Sequence, residues 1–157
     1  MALVWGRPYP TSGIIDVPIG RHPKDRQKMA IHKQGKSAQT SYKVIKSFSS
    51  KVDIQSQISL IECELHTGRT HQIRVHLQHL GNPIIGDTVY GKNRTKQELW
   101  PDSVYTFSRQ ALHAYKLDFL HPITNEQISL SAPLAKDMAS LVDELILSYV
   151  HSNMPTK

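Results

Sequence analysis

The run Glu64-Leu65-His66-Thr67-Gly68-Arg69-Thr70-His71-Gln72-Ile73-Arg74-Val75-His76 decides how this chain folds. Its first residues close a stretch over 54–65 in which Ile58, Leu60 and Glu62 share one side and Ile61, Cys63 and Leu65 the other. That alternation predicts a strand. Thr67-Gly68 breaks it. From Thr70 a helix is expected, with Thr70 as N-cap, because Ile73, Leu77 and Leu80 recur at i, i+4 and i+7. Gly81 ends the helix as its C′ residue and Pro83 prevents continuation. A strand therefore runs through a tight turn into a helix whose first turn is polar and cationic. Unpaired N–H groups and the positive dipole end suit a phosphate or another anion at such a place. Arg69 and His71 stand near it, and Arg74 lies on the flank of the apolar stripe. A guanidinium stays charged in almost any setting, so a partly buried Arg74 needs a carboxylate or phosphate partner. The alternative is a surface ion pair with a nearby acid.

Upstream, residues 1–5 (MALVW) are apolar and read as a buried strand that begins abruptly. Pro8, Pro10 and Gly13 mark a loop, a short strand is expected within 14–19, and 41–48 alternates as another. Between them, Arg21, Lys24, Arg26, Lys28, Lys33 and Lys36 are opposed only by Asp25. This segment has no clear period and reads as an extended loop or irregular hairpin, either merely solvated or in contact with phosphates. Downstream, Gly86-Asp87 and Tyr90-Gly91 suggest a structural turn, with Asp87 capping and Tyr90 packing. Residues 92–104 read as a polar surface insertion, 111–120 and 127–132 as strands around a turn at Pro122 and Asn125, and 135–149 as an amphipathic helix. Residues 151–157 are a polar tail. Strands dominate and helices do not alternate with them. That pattern predicts an α+β fold with a mixed, mostly antiparallel sheet flanked by a few helices.

Composition bounds the function. A chain of 157 residues with 39% hydrophobic content supports one domain. It holds no apolar run of roughly 18 residues, the length that would cross a membrane. One cysteine, Cys63, rules out an internal disulfide framework. These features point to a soluble, cytoplasmic protein of a reducing compartment. The charge of +6 and pI near 9.5 favour a polyanionic partner. The 9 histidines invite a metal reading, but His71, His76 and His79 share a helical face poorly and no cysteine or carboxylate completes a ligand set, so no metal is expected.

The run LHTGRTHQIRVHLQHLGNPIIGDTVYG (65–91) resembles the C-terminal signature of the RluA-type RNA pseudouridine synthases, which modify uridines in ribosomal and transfer RNA. Further stretches are similar to that family in the same order: Ile15-Asp16-Val17-Pro18-Ile19-Gly20-Arg21-His22-Pro23, then Arg26-Gln27-Lys28-Met29-Ala30, Thr40-Ser41-Tyr42-Lys43-Val44, Arg109-Gln110-Ala111-Leu112-His113-Ala114 and Leu120-His121-Pro122-Ile123. The likeness spans about residues 2–146. It implies that residues 1–150 are the C-terminal part of a synthase catalytic domain, with a pseudouridine synthase-like fold. It implies an isomerase that needs no cofactor and flips its target uridine into a pocket. There an aspartate acts at the ribose, a tyrosine packs on the base, and an arginine keeps the aspartate ionised. Only the arginine maps onto this chain, at Arg74. Arg21, Lys24, Arg26 and Lys28 of the basic segment are the candidate phosphate contacts, and Arg69, His71 and Gln72 are candidate RNA-facing or active-site-lining groups. The family's His-Arg-Leu-Asp segment does not occur in the sequence. Three readings follow: an inactive, non-catalytic RNA-binding remnant, a chain completed by a separate N-terminal fragment that supplies the aspartate, and a shortened piece of a longer polypeptide. An unpaired Arg74 and an exposed edge strand are the liabilities expected of such a chain.

Overall fold

The structure is a computed structural model that describes residues 1–50, 53, 56–91 and 99–150, the last two of these by backbone alone. The tail at 151–157 and most of the expected insertion lie outside the described residues.

The apolar residues Ala2–Trp5 form β1, buried at every position. β1 runs antiparallel to β6 (Gln57–Leu65), with Ala2 opposite Ile61 and Trp5 opposite Ile58. β6 pairs with β5 (Gln39–Ser49), and β5 with β2 (Ser12–Asp16), giving the order β1-β6-β5-β2. A register shift between Val44 and Lys46 inserts Ile45 as an extra residue, and Ile45 is exposed. Such a bulge turns the strand over relative to its neighbour. Tyr42 therefore pairs with Cys63 on one side of the sheet, and Phe48 with Ile58 on the other. Both sides of β6 carry apolar side chains, as its sequence requires.

The short strand expected within 14–19 is split instead. Pro18, which lacks an N–H, separates β2 from β3 (Ile19–Arg21), and β3 pairs with β4 (Met29–Ile31) in a sheet of its own. The basic segment is thus a hairpin. β7 (Lys116–Leu120) and β8 (Gln127–Ser131) make a third, two-stranded sheet. The strand expected over 111–120 begins only at Lys116, because its first part serves β1. Leu3 N–H donates to the Ala111 carbonyl at 2.9 Å, Ile85 N–H to Leu3 at 3.0 Å and Trp5 N–H to Pro83 at 3.0 Å. The second edge of β1 is therefore covered by residues near 84 and 111, and β1 is not an exposed edge strand.

Three helices are described. α1 (Gln72–His79) begins one residue later than expected: its N-cap is His71, not Thr70. It ends as the glycine predicts, with Gly81 at φ 85 and Asn82 N–H donating to Leu77 at 2.9 Å. α2 (Asp102–Tyr105) falls in the segment expected to be surface, yet Trp100 and Val104 join the core. α3 (Lys136–Val150) buries Met138, Leu141 and Leu145. One cluster packs Leu3, Phe48, Ile58, Ile61, Leu77 and Leu145 together, and a second joins Ile19, Ala38, Val75 and Tyr90. The second cluster seats the basic hairpin against α1.

Candidate active site at the start of the first helix

Gln72 organises this site. Its Oε1 accepts from Thr67 Oγ1 at 2.8 Å and from Arg69 N–H at 2.9 Å. Its Nε2 donates to the Gln39 carbonyl and to Thr40 Oγ1, each at 2.9 Å. The amide thereby ties the glycine turn and β5 to the helix start. Gln72 was expected to face RNA, but it is 3% exposed and its partners are all internal. A buried amide must be hydrogen-bonded, and the backbone around the turn supplies what it needs.

The same network continues through His76, which the sequence raised only as a metal ligand, and a poorly placed one. His76 is fully buried. Its Nε2 lies 3.1 Å from the Val17 carbonyl and its Nδ1 2.9 Å from Thr40 Oγ1. A carbonyl only accepts, so Nε2 carries the proton. Thr40 Oγ1 accepts from Gln72 and has its own proton to offer Nδ1. Burial lowers the His76 pKa below the ordinary histidine value, which favours the neutral ring. Gln72 and His76 stand at i, i+4. That spacing of two polar residues on a helix with apolar neighbours was the available signal.

Preceding Gln72, His71 sits at φ 55, a left-handed conformation that costs a non-glycine residue roughly 1–3 kcal/mol. A hydrogen bond between its Nδ1 and Tyr90 Oη at 2.8 Å helps hold it there. Tyr90 Oη accepts from Met29 N–H at 2.9 Å, which anchors the basic hairpin. Burial and the neighbouring Arg74 charge push the His71 pKa down.

Arg74 is not unpaired. Its Nε donates to Asp87 Oδ2 at 2.7 Å and its Nη2 to Asp87 Oδ1 at 2.8 Å. Its guanidinium carbon stands 4.8 Å from the centre of the Tyr90 ring. The side chain of Arg74 is 13% exposed and that of Asp87 0%. The expectation of an unpaired Arg74 is therefore corrected: Asp87, within this chain, already pairs two of its guanidinium nitrogens. Asp87 Oδ1 also accepts from the N–H groups of Val89 and Tyr90, both at 3.0 Å, so it caps the turn as its sequence suggests. Burial alone would raise the Asp87 pKa, but the Arg74 bond and these backbone donors outweigh it and hold the carboxyl below its ordinary range. Gly86 makes the turn possible. It sits at φ 72, and a Cβ there would lie 2.0 Å from the Arg109 carbonyl oxygen.

The remaining candidates surround this cluster. Arg21, Lys24 and Arg26 are exposed on the hairpin, and Arg21 Nη1 donates to the Arg26 carbonyl at 3.0 Å. Lys28 stands 3.5 Å from Asp25. Arg69 leans on the Ser37 carbonyl through Nε at 2.9 Å. Arg69, His71 and Arg74 come together at the helix start, with the hairpin beside them, while Gln72 turns inward. Cys63 is no candidate nucleophile, because burial pushes its thiol up to about 11. Among the described residues no cluster of histidine, cysteine and carboxylate could hold a metal ion.

Residues 2–79 match the RNA pseudouridylate synthase family. A ribosomal large subunit pseudouridine synthase D from Nitrosomonas europaea is 41% identical over 98% of this chain and 42% of its own length. An uncharacterised RNA pseudouridine synthase from Bacillus subtilis is 43% identical over 92% of this chain and 42% of its own. The chain belongs to the RNA pseudouridylate synthase family. The solved human RNA pseudouridylate synthase domain containing 1 is 27% identical, with a TM-score of 0.62 over 92% of this chain and 63% of that one. The α+β fold of this chain is thus the fold of its family, and the chain spans about 42% of the length of these curated relatives.

Proposed function

We propose that residues 1–150 are the Arg74-bearing C-terminal part of the catalytic domain of a cytoplasmic RNA pseudouridine synthase, an isomerase that converts uridine to pseudouridine in ribosomal or transfer RNA without a cofactor. The observation that carries this reading is the locked Arg74, set at the start of α1 within the family signature and flanked by the basic hairpin. Asp87 takes Nε and Nη2 and leaves Nη1 as the donor for a second carboxylate. In this reading that carboxylate is the catalytic aspartate, supplied by polypeptide outside these 157 residues. Arg74 would keep it ionised while it acts at the ribose, a nearby-charge effect. Arg21, Lys24, Arg26, Lys28 and Arg69 would engage the phosphates, and His71 would line the cleft at the helix start.

The test is complementation. This chain is co-expressed with the portion of the Nitrosomonas europaea relative outside the matched span, and pseudouridines are mapped in ribosomal and transfer RNA. New sites that vanish with Arg74→Ala support the reading, and an unchanged map counts against it. A second reading, a non-catalytic RNA-binding remnant, is favoured by one observation: Arg74 is already neutralised by Asp87, so the fold needs no further carboxylate. It predicts salt-sensitive RNA binding without turnover in either arrangement.

A further inference from the structure

Beside α1, a groove of ≈ 650 Å³ opens between the β5–β6 face and the β7–β8 hairpin. Cys63, Leu65, Ile73, Leu112 and Leu117 line its apolar part. The hairpin beside it is amphipathic. Leu117 pairs with Leu130 and Phe119 with Ile128 on one face, while Lys116, Asp118 and Ser129 occupy the other. The apolar face is uncovered, with Leu117 57% and Leu130 55% exposed. β7 and β8 form a sheet of two, so each keeps an unpaired edge. A two-stranded sheet is marginally stable by itself and is completed by further strands or a packed element. At the groove wall, His113 Nε2 is buried with no hydrogen-bond partner among the described residues. A buried polar atom of that kind calls for a partner.

We propose that this groove and the apolar hairpin face are the docking surface for the part of a pseudouridine synthase polypeptide that the relatives carry outside the matched span, which adds backbone pairing to the hairpin and places a polar group on His113. The proposal rests on the reading above and assigns its missing partner a place. Several observations select a polypeptide. The relatives carry more than as much chain again as matches here. Free strand edges are completed by backbone. The groove offers no cationic track for RNA, because Glu62, Glu64 and Asp118 offset Lys43, Lys116 and the Met1 amine in its lining.

The experiment uses the full chain and, as probe, the portion of the Nitrosomonas europaea relative outside the matched span. Association is measured by calorimetry and by hydrogen exchange. Binding should slow exchange at Lys116–Leu120 and Gln127–Ser131. Leu117→Glu and Leu130→Glu, both at exposed positions, should weaken binding at least tenfold while leaving the urea midpoint unchanged. Ile14→Glu, an exposed apolar position on β2, should bind like the original chain. Absence of binding, protection confined to other segments, or binding indifferent to both hairpin substitutions would overturn the surface. So would self-association of the chain through the hairpin that excludes the probe. Pseudouridine formation that survives Leu117→Glu leaves the proposed function standing and removes the groove. Docking through the hairpin with no pseudouridine in any RNA does the reverse.

Discussion

At the scale of single residues, the charge at Arg74 and the proton of His76 govern the site. Arg74 and Asp87 are a buried pair, and the carboxylate also caps its own turn. Removing one partner strands a buried charge. Asp87→Ala is expected to cost about 3–5 kcal/mol in urea denaturation. Arg74→Lys keeps the charge but loses the fork geometry, so it should fall between that variant and the original. His76 sets a pH dependence. Its folded pKa lies below the unfolded value near 6.5, so the unfolded chain binds the proton more readily. Its contribution is therefore full above about pH 6.5 and is lost as pH falls through the folded value. His71 shifts in the same direction and adds to the effect. The urea midpoint should drop on acidification below that point, and His76→Gln should make the drop shallower. An equal slope in the variant would assign the effect elsewhere.

At the scale of elements, the β3–β4 hairpin and the turn at Gly86 serve different ends. The hairpin is held by its apolar roots, Ile19, Met29 and Ile31, and by the Met29–Tyr90 hydrogen bond, so its basic tip is free to change without unfolding the chain. Replacing Lys24, Arg26 and Lys28 by alanine should preserve stability. It should flatten the dependence of RNA affinity on salt by about 0.7 in slope for each single-strand phosphate no longer neutralised. An unchanged slope would remove the hairpin from the RNA surface. The Gly86 turn tolerates no such freedom. Gly86→Ala forces a side chain against the Arg109 carbonyl at a positive φ, and about 2–4 kcal/mol of destabilisation is expected by thermal or urea unfolding.

At the scale of the whole molecule, order is distributed unevenly. β1 is buried along its length and bonded on both edges, through β6 and through residues near 84 and 111. The β7–β8 hairpin exposes most of its residues and pairs with no third strand among the described residues. Amide exchange should therefore be slowest in Ala2–Trp5, near the global limit, and fastest among the strands in Lys116–Leu120 and Gln127–Ser131. Equal protection in both would contradict this packing.

What local sequence determined is whatever nearest neighbours along the chain enforce. The apolar run at 1–5, the alternation into Leu65, the stripe Ile73, Leu77 and Leu80, the stop at Gly81 and the cap at Asp87 follow from short-range sterics and hydrogen bonding, and motif order alone was enough to indicate the family. Tertiary structure decided the partners. Asp87 lies thirteen positions from Arg74 in sequence, His76 reaches Val17 and Thr40, and Gln72 reaches back to Gln39. Such choices depend on which side chains distant strands bring within about 3 Å of each other, and no periodicity in a linear chain encodes that distance. The same limit explains why Gln72 read as an RNA contact and Arg74 as unpaired: polarity is visible in sequence, whereas burial is a property of the packed chain.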